Sequence, residues 1–333
     1  MRIALFLPHV GVFGGVRRYL ELGNEWVALG HEVTLHHPDG APPAWLPFAG
    51  RTATLASAAG TESDLAICGD RDTYAAFRSH RARRHVYYCV LEGDPGLPAA
   101  LADPEVTLMA NSGPLVQALK RRARREVLDG VGGIRTERFR PAPALRSASP
   151  LRVLVNGRRS RAKKGTDIVL EALAGLSRST PAFETVLFDA VDPATNRQDP
   201  RAGAPLPPNA RFVLNPTQDE LVALYQSSHV FVAAEKKAGW CNTALEALSS
   251  GCALVCTRSG TMDFARDRRN ALVSWRNPWS LRAAIRRLLT DAELRERLGA
   301  AGPASAAPWS WDKLARKILA QLARPAGRAA SEG

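Results

Sequence analysis

Short apolar runs alternate with stretches of helical period along nearly the whole chain. In the first half the runs Ile3–Leu7, Glu32–His36, Leu65–Cys68, Val86–Leu91 and Val106–Ala110 read as strands. Between them Val16–Leu29, Asp72–Arg83 and Pro114–Arg125 read as helices. This βαβ rhythm predicts a parallel, doubly wound sheet. It stops near Phe139, where the Pro/Ala/Ser-rich segment Arg140–Pro150 reads as a linker. It restarts with strands at Leu151–Asn156, Glu184–Phe188, Arg211–Leu214, Val230–Ala233, Ala253–Cys256 and Ala271–Ser274. Helices are expected at Thr166–Leu176, Gln218–Gln226, Thr243–Ser249, Ser280–Leu289, Ala292–Leu298 and Trp311–Leu322. The chain thus divides into an α/β domain over 1–141, a linker over 142–150 and a second α/β domain over 151–308. A C-terminal helix over 309–324 is expected to pack back toward the first domain, followed by a disordered tail over 325–333. The polar stretch Asp192–Pro208 is expected to be a mobile loop.

A chain of 333 residues exceeds what one core usually holds, which agrees with two domains. No apolar run approaches the roughly 18 residues of a membrane span. The N-terminal run is short and broken by Pro8 and His9, so it reads as a first strand rather than a leader, and a cytoplasmic location is expected. The five cysteines are scattered, and Cys252-x-x-x-Cys256 has no second pair, which argues against a disulfide framework or a metal site. The net charge of +13 is concentrated in RSHRARRH (Arg78–His85) and KRRARR (Lys120–Arg125). Such clusters are either solvated helix faces or a surface for an anionic membrane or an acidic acceptor. No helix-turn-helix, zinc-finger or aromatic RNP pattern accompanies them, so nucleic acid is not an expected partner.

The most informative stretch is EKKAGWCNTALEALSSGCALVCTRSGTMD, Glu235–Asp263. Gly239 and Trp240 lead into a helix opening at Cys241-Asn242-Thr243, and Glu246 follows one turn on. Free N–H groups at a helix start bind phosphate, and a carboxylate one turn further can reach a pair of sugar hydroxyls, so the pattern suits a nucleoside diphosphate. The segment VNGRRSRAKKGTD puts Arg158 and Lys163-Lys164 at opposite ends of one loop, where they can bracket a diphosphate. In HVGVFGGVRR, the pair Gly14-Gly15 bares the backbone before a helix, although the glycines do not meet the dinucleotide fingerprint. Asp70-x-Asp72 looks like a metal-binding pair, but helix capping explains it more simply and no metal is required. His9 lies in the first glycine turn and can face a cleft.

These motifs resemble, in order, those of retaining glycosyltransferases of the GT-B fold, family 4 (glycosyl transferases group 1). GGVRRYLELGNEWVALGHEVTLHHP is similar to the family's opening turn and helix. GGIRTERFRP resembles its N-G-V-D-x-x-x-F-x-P, and NGRRSRAKKGTD its G-R-x-x-x-x-K-G with one extra residue. AGWCNTALEALSSG resembles its E-G-x-x-x-x-x-x-E-A-M-A-x-G, SGTMDF its G-G-x-x-E, and WSWDKLARKIL its closing helix. The resemblance implies two Rossmann-like domains facing a cleft. Arg158 and Lys164 (or Lys163) would hold the diphosphate, with N–H groups near Asn242, Thr243 and Ala244. Glu246 would bind the ribose, and Gly14 and Gly15 would admit phosphates and acceptor. The chain departs from the family at Ala238, where a glutamate contacts the donor sugar; Glu235 is the nearest alternative carboxylate. Glu92 or Asp94 stands where a histidine is common, and Arg135 replaces the aspartate of N-G-V-D.

The resulting expectation is a metal-independent transferase. It would move a sugar, with retention, from a UDP- or GDP-linked donor to an acceptor hydroxyl, with His9, Glu92 and Asp94 on the acceptor side. It needs no further cofactor. Peripheral contact with an anionic membrane through the basic N-domain helices is part of the expectation. The alternatives are a degenerate nucleotide-sugar binder, a GT-B epimerase or hydrolase, and a nicotinamide oxidoreductase.

Overall fold

The computed structural model describes residues 1–91, 93–146, 149–176, 180–192, 199–201 and 205–324. The first half contains β1 (Arg2–Phe6), α1 (Gly14–Ala28), β2 (Glu32–His37), β3 (Arg51–Thr54), β4 (Glu62–Cys68) and α2 (Tyr74–Ser79). It continues with β5 (Arg81–Cys89), α3 (Leu97–Ala102), β6 (Val106–Ala110), α4 (Gly113–Ala123) and β7 (Val127–Asp129). Its seven strands run in the order β3-β2-β1-β4-β5-β6-β7, and every neighbouring pair is parallel. The second half contains β8 (Leu151–Asn156), α5 (Thr166–Ala174), β9 (Phe183–Asp189), β10 (Ala210–Leu214), α6 (Gln218–Gln226) and β11 (Val230–Ala233). After these come α7 (Asn242–Ser249), β12 (Ala253–Cys256), β13 (Ala271–Val273), α8 (Pro278–Thr290), α9 (Ala292–Ala306) and α10 (Trp311–Leu322). This sheet has the order β10-β9-β8-β11-β12-β13, again parallel throughout. The expected architecture of two parallel-sheet, Rossmann-like α/β units is therefore the one the chain forms.

Helices on both faces bury the central strands, which accounts for their continuous apolar runs. All four residues of β11 and all four of β12 are buried. In each sheet the strand order reverses once, between β1 and β4 and between β8 and β11. The loops at the carboxyl ends of strands flanking such a reversal form a natural binding crevice. Here those loops carry the glycine turn and Asp70 on one side, and Arg158 and Glu235 on the other.

The last helix crosses back to the first sheet. The Trp26 indole N–H donates to the Ala315 carbonyl at 3.3 Å, and Lys317 Nζ bonds Asp129 at 2.8 Å. The backbone N–H of Gly133 donates to the Trp309 carbonyl at 2.7 Å. Gly133 has φ +119°, and a Cβ there would lie 2.3 Å from the Trp311 ring, so only glycine lets that ring lie on the backbone.

Two parts of the sequence reading are corrected, and a third lies outside the described residues. The helix expected over Asp72–Arg83 ends at Ser79, because the RSHRARRH cluster runs into β5. There Arg81 and Arg83 alternate outward and meet Glu62 at 3.3 Å and Asp64 at 3.5 Å on neighbouring β4. The cluster is thus a cross-strand ion-pair ladder rather than a basic helix face. Strands β3 and β7 and helix α3 were not anticipated, being short and in part exposed. The tail over 325–333, and most of the Asp192–Pro208 loop, lie outside the described residues.

Trp311 is 3% exposed and anchors the returning helix. Trp311→Ala is expected to cost about 3–5 kcal/mol in chemical denaturation. Trp279→Ala, at a position 76% exposed, is expected to stay within about 0.5 kcal/mol of wild type.

Candidate active site

A cavity of about 600 Å³ lies between the two reversal points. Its second-sheet wall begins where β8 ends. Arg158, nearly buried, makes a bidentate ion pair with Asp189 at the end of β9, with Nε and Nη2 at 2.8–3.1 Å. Lys164 Nζ meets Glu235 Oε1 at 2.6 Å, just beyond β11. Arg161 lies over the Phe13 ring of the glycine turn, 5.6 Å from its centroid, so this loop already touches the opposite domain. Burial, reinforced by Arg161 and Lys164 and by the more distant Arg158, holds the Lys163 ammonium below its usual pKa. Four cations therefore crowd one wall, two of them, Arg158 and Lys164, in ion pairs with Asp189 and Glu235.

Two helix N-termini open on the same wall. Helices α6, α8 and α9 are capped by the side chains of Thr217, Asn277 and Asp291, whereas α5 and α7 have no side-chain oxygen cap. Helix α5 starts from Gly165 in the left-handed region at φ +73°, where a Cβ would sit 2.3 Å from the Ala234 carbonyl oxygen. Helix α7 starts from Cys241, whose thiol lies 3.5 Å from Thr243 Oγ1. Asn242 and Thr243 thus bring first-turn N–H groups, free of any oxygen cap, to the cavity wall. Ala244 is wholly buried, and its N–H turns toward the Cys241 sulfur instead.

Glu246 lies one turn into α7, almost buried, and accepts from the Tyr225 hydroxyl at 2.9 Å. Burial raises its carboxyl pKa, against the opposing influence of nearby Arg17. Arg17 in turn donates to Gln218 Oε1 at 2.7 Å, spanning the two domains. Gly14 brings its carbonyl to within 3.5 Å of Asn242 Nδ2, and Gly15 packs beside Phe13.

Gly239 and Trp240 line the cavity, and their surroundings are those of an interdomain seam. A Cβ on Gly239 would lie 2.4 Å from Asn111 Oδ1 and 2.6 Å from the Val90 carbonyl. Trp240 packs edge-on against Phe264 and Trp309, with the buried Arg18 guanidinium over its ring at 5.9 Å. Ala238 forms an antiparallel bridge with Leu91 and donates its N–H to Ser259 Oγ at 2.8 Å. Ala238, where the resemblance leads one to expect a glutamate, is therefore occupied by domain contact, and Glu235 is the carboxylate at that end of the cavity.

On the first-sheet wall, Asp94 accepts from the Tyr87 hydroxyl and the Gly96 N–H through Oδ1. Its Oδ2 has no partner among the described residues, and burial raises its pKa. Both Asp70 oxygens accept from Thr73, its N–H at 2.9 Å and its hydroxyl at 2.8 Å, so this carboxylate serves as a local cap. His9 is set back from the cavity wall against Phe13, and desolvation lowers its pKa. Glu92 lies outside the described residues. The sequence reading missed Asp189, Asn111 and Arg18. Asp189 was findable as a carboxylate at the carboxyl end of a strand, but nothing local marks the other two.

The raised Glu246 pKa has a consequence for stability. The folded state keeps a proton that the unfolded state releases, so stability falls as pH rises above the ordinary glutamate range. Glu246→Gln keeps the Tyr225 contact and removes that loss. The variant is expected to melt higher than wild type near about pH 7, with the gap closing toward about pH 4, in thermal scans of the unliganded protein.

Residues 141–305 match the family model described as Glycosyl transferases group 1. A stretch of 111 residues, 33% of this chain, is 29% identical to D-inositol 3-phosphate glycosyltransferase of Corynebacterium urealyticum, and covers 26% of that protein. Sucrose-phosphate synthase from Thermosynechococcus elongatus superposes with a TM-score of 0.79 at 18% identity, covering 96% of this chain and 98% of that one. Anabaena HepE, in complex with UDP-glucose, superposes with a TM-score of 0.76 at 15% identity, over 97% and 99% of the two chains. The fold is thus that of the GT-B glycosyltransferases, and residues 141–305, just under half of the chain, match the glycosyl transferases group 1 model.

Proposed function

We propose that this protein is a glycosyltransferase that moves a sugar from a nucleoside-diphosphate sugar to an acceptor hydroxyl. The observation that carries the reading is the cluster of cations on the β8–α5 loop. Arg158, Arg161, Lys163 and Lys164 line one wall of the cavity, with Arg158 held by Asp189 and Lys164 by Glu235. The esterified diphosphate of a nucleotide sugar carries two negative charges, and such a cluster meets them with charge-assisted donors. The first-turn N–H groups at Asn242 and Thr243 supply uncharged donors for its remaining oxygens. The group 1 domain supports this, as does the UDP-glucose bound in the structurally similar HepE. Glu246, already holding the Tyr225 hydroxyl, presents its carboxylate to the ribose diol.

In the proposed reaction the bond from the anomeric carbon to the diphosphate oxygen breaks, and one to the acceptor oxygen forms on the same face. The acceptor proton passes to the departing phosphate oxygen, and configuration is retained. The protein's main contribution is to stabilise charge on the leaving diphosphate with fixed cations and amides. The same cluster of cations neutralises the diphosphate in place of a metal ion, and both oxygens of Asp70, the leading metal-ligand candidate, already accept from Thr73. The acceptor enters along the first-sheet wall, where Asp94, whose buried Oδ2 has no partner among the described residues, is the nearest carboxylate for a hydroxyl.

Lys163 is the cleanest probe, since among the described residues it has no ion-pair partner to strand. Removing Arg158 or Lys164 instead takes the ion pair from the buried carboxylate of Asp189 or Glu235. Lys163→Ala is expected to weaken binding of UDP, or of GDP if that is the nucleotide taken, about tenfold or more by calorimetric titration. Turnover should fall in parallel, while the melting temperature without ligand stays put. Unchanged nucleotide affinity in this variant would remove the cation cluster from the reading.

A further inference from the structure

A second groove, of about 750 Å³, opens on the far side of the 235–239 loop. Its floor is apolar and joins the two domains: Leu115 and Ala118 come from α4, and Met262 and Trp275 from the second domain. Trp275 is 80% exposed and Met262 47% exposed, and Trp279 follows in the first turn of α8 at 76%. These are three of the five exposed large apolar side chains among the described residues.

The polar groups around the groove are unevenly committed. Asp263 spends both oxygens on the Gly113 N–H, and Asp267 accepts from the Val273 N–H. Thr257 donates to the Glu235 carbonyl, and Ser274 bonds Ser280. Arg276 is tied to the carbonyls of Ala234 and Ala162. By contrast Lys236, Lys237 and Arg258 are exposed and have no ion-pair partner among the described residues. Lys237 is held in the left-handed region at φ +61°, a conformation that costs a non-glycine residue energy. One turn beyond Ala118 on α4, Arg121 and Arg122 are also exposed.

We propose that this rim is a docking surface for an anionic lipid bilayer. Indole rings favour the boundary between headgroups and acyl chains, where the ring is buried and its N–H stays wet. Lysine and arginine beside them gain attraction from a negatively charged leaflet. A saccharide groove of this size would offer uncommitted hydroxyls, amides or carboxylates, whereas here the acids and hydroxyls are engaged internally and the exposed cations are not. Charge complementarity therefore selects the anionic surface. The rim borders the loop that also lines the active-site cavity, so docking would turn the cavity mouth toward the bilayer.

The test uses the full chain in vesicle co-sedimentation. One set of vesicles is phosphatidylcholine alone and the other contains phosphatidylglycerol in equal part. The wild type is expected to bind the anionic vesicles at least about tenfold more tightly than the neutral ones, and to lose the preference in high salt. Trp275→Ser/Trp279→Ser should lower anionic-vesicle binding at least about tenfold with an unchanged melting temperature. Lys237→Glu/Arg258→Glu serves as a second variant and should abolish the anionic preference. Full binding by the double tryptophan variant overturns the proposal. So does a wild type that ignores vesicles but is retarded, through these tryptophans, by dextran in an affinity gel. Sedimentation is read without turnover, so either failure leaves the proposed transferase activity untouched.

Discussion

The site depends on several cations held close together by the β8–α5 loop. The carboxylates at the end of β9 and just beyond β11 hold Arg158 and Lys164 in place. Burying an ammonium beside like charges is unfavourable, and burial, reinforced by Arg161 and Lys164, lowers the Lys163 pKa. The two carboxylates fix the geometry of the arginine and lysine in advance, so an arriving anion meets donors already oriented. Binding energy is then not spent on ordering long side chains.

The facing wall is joined to this one by contacts that need small residues or borrowed caps. Gly239 lets the second domain touch Asn111 and the Val90 carbonyl. Asp263 accepts the Gly113 N–H at the start of α4 from across the seam, beside the N-cap Ser112, which accepts from the Leu115 N–H. Arg17 reaches Gln218, and Arg161 covers Phe13. Each contact brings a residue from a sheet's binding edge to the other domain, so the distance across the cavity is set by packing rather than by the linker alone.

Much of this was legible in the sequence because parallel sheets write themselves as apolar runs separated by helical periods. Strands β6, β8, β11 and β12 and helices α6 and α10 have the bounds that their periodicity suggested. Strand β5 was misread at its start because a charged sequence can still alternate on a strand when the neighbour supplies acids, as Glu62 and Asp64 do. Strand β3 escaped because its residues are only partly covered. The glycine turn, the cation loop and the α7 start were visible as local patterns, and all of them line the cavity. The partners of those residues were not visible. Arg158 meets Asp189 and Glu246 meets Tyr225 only after the sheet has set the strand order, and no local signal encodes such pairings.

The return of α10 to the first sheet leaves the two halves covalently joined twice, once through residues 140–150 and once through the turn Ala307–Trp309. A single tether would allow one half to twist and swing freely about the other. Two tethers side by side act as a door hinge: they permit rotation about the line between them and resist both twisting and sliding. Opening of the cleft is thereby steered toward that arc, which favours the cation loop and the glycine turn meeting again in the same register.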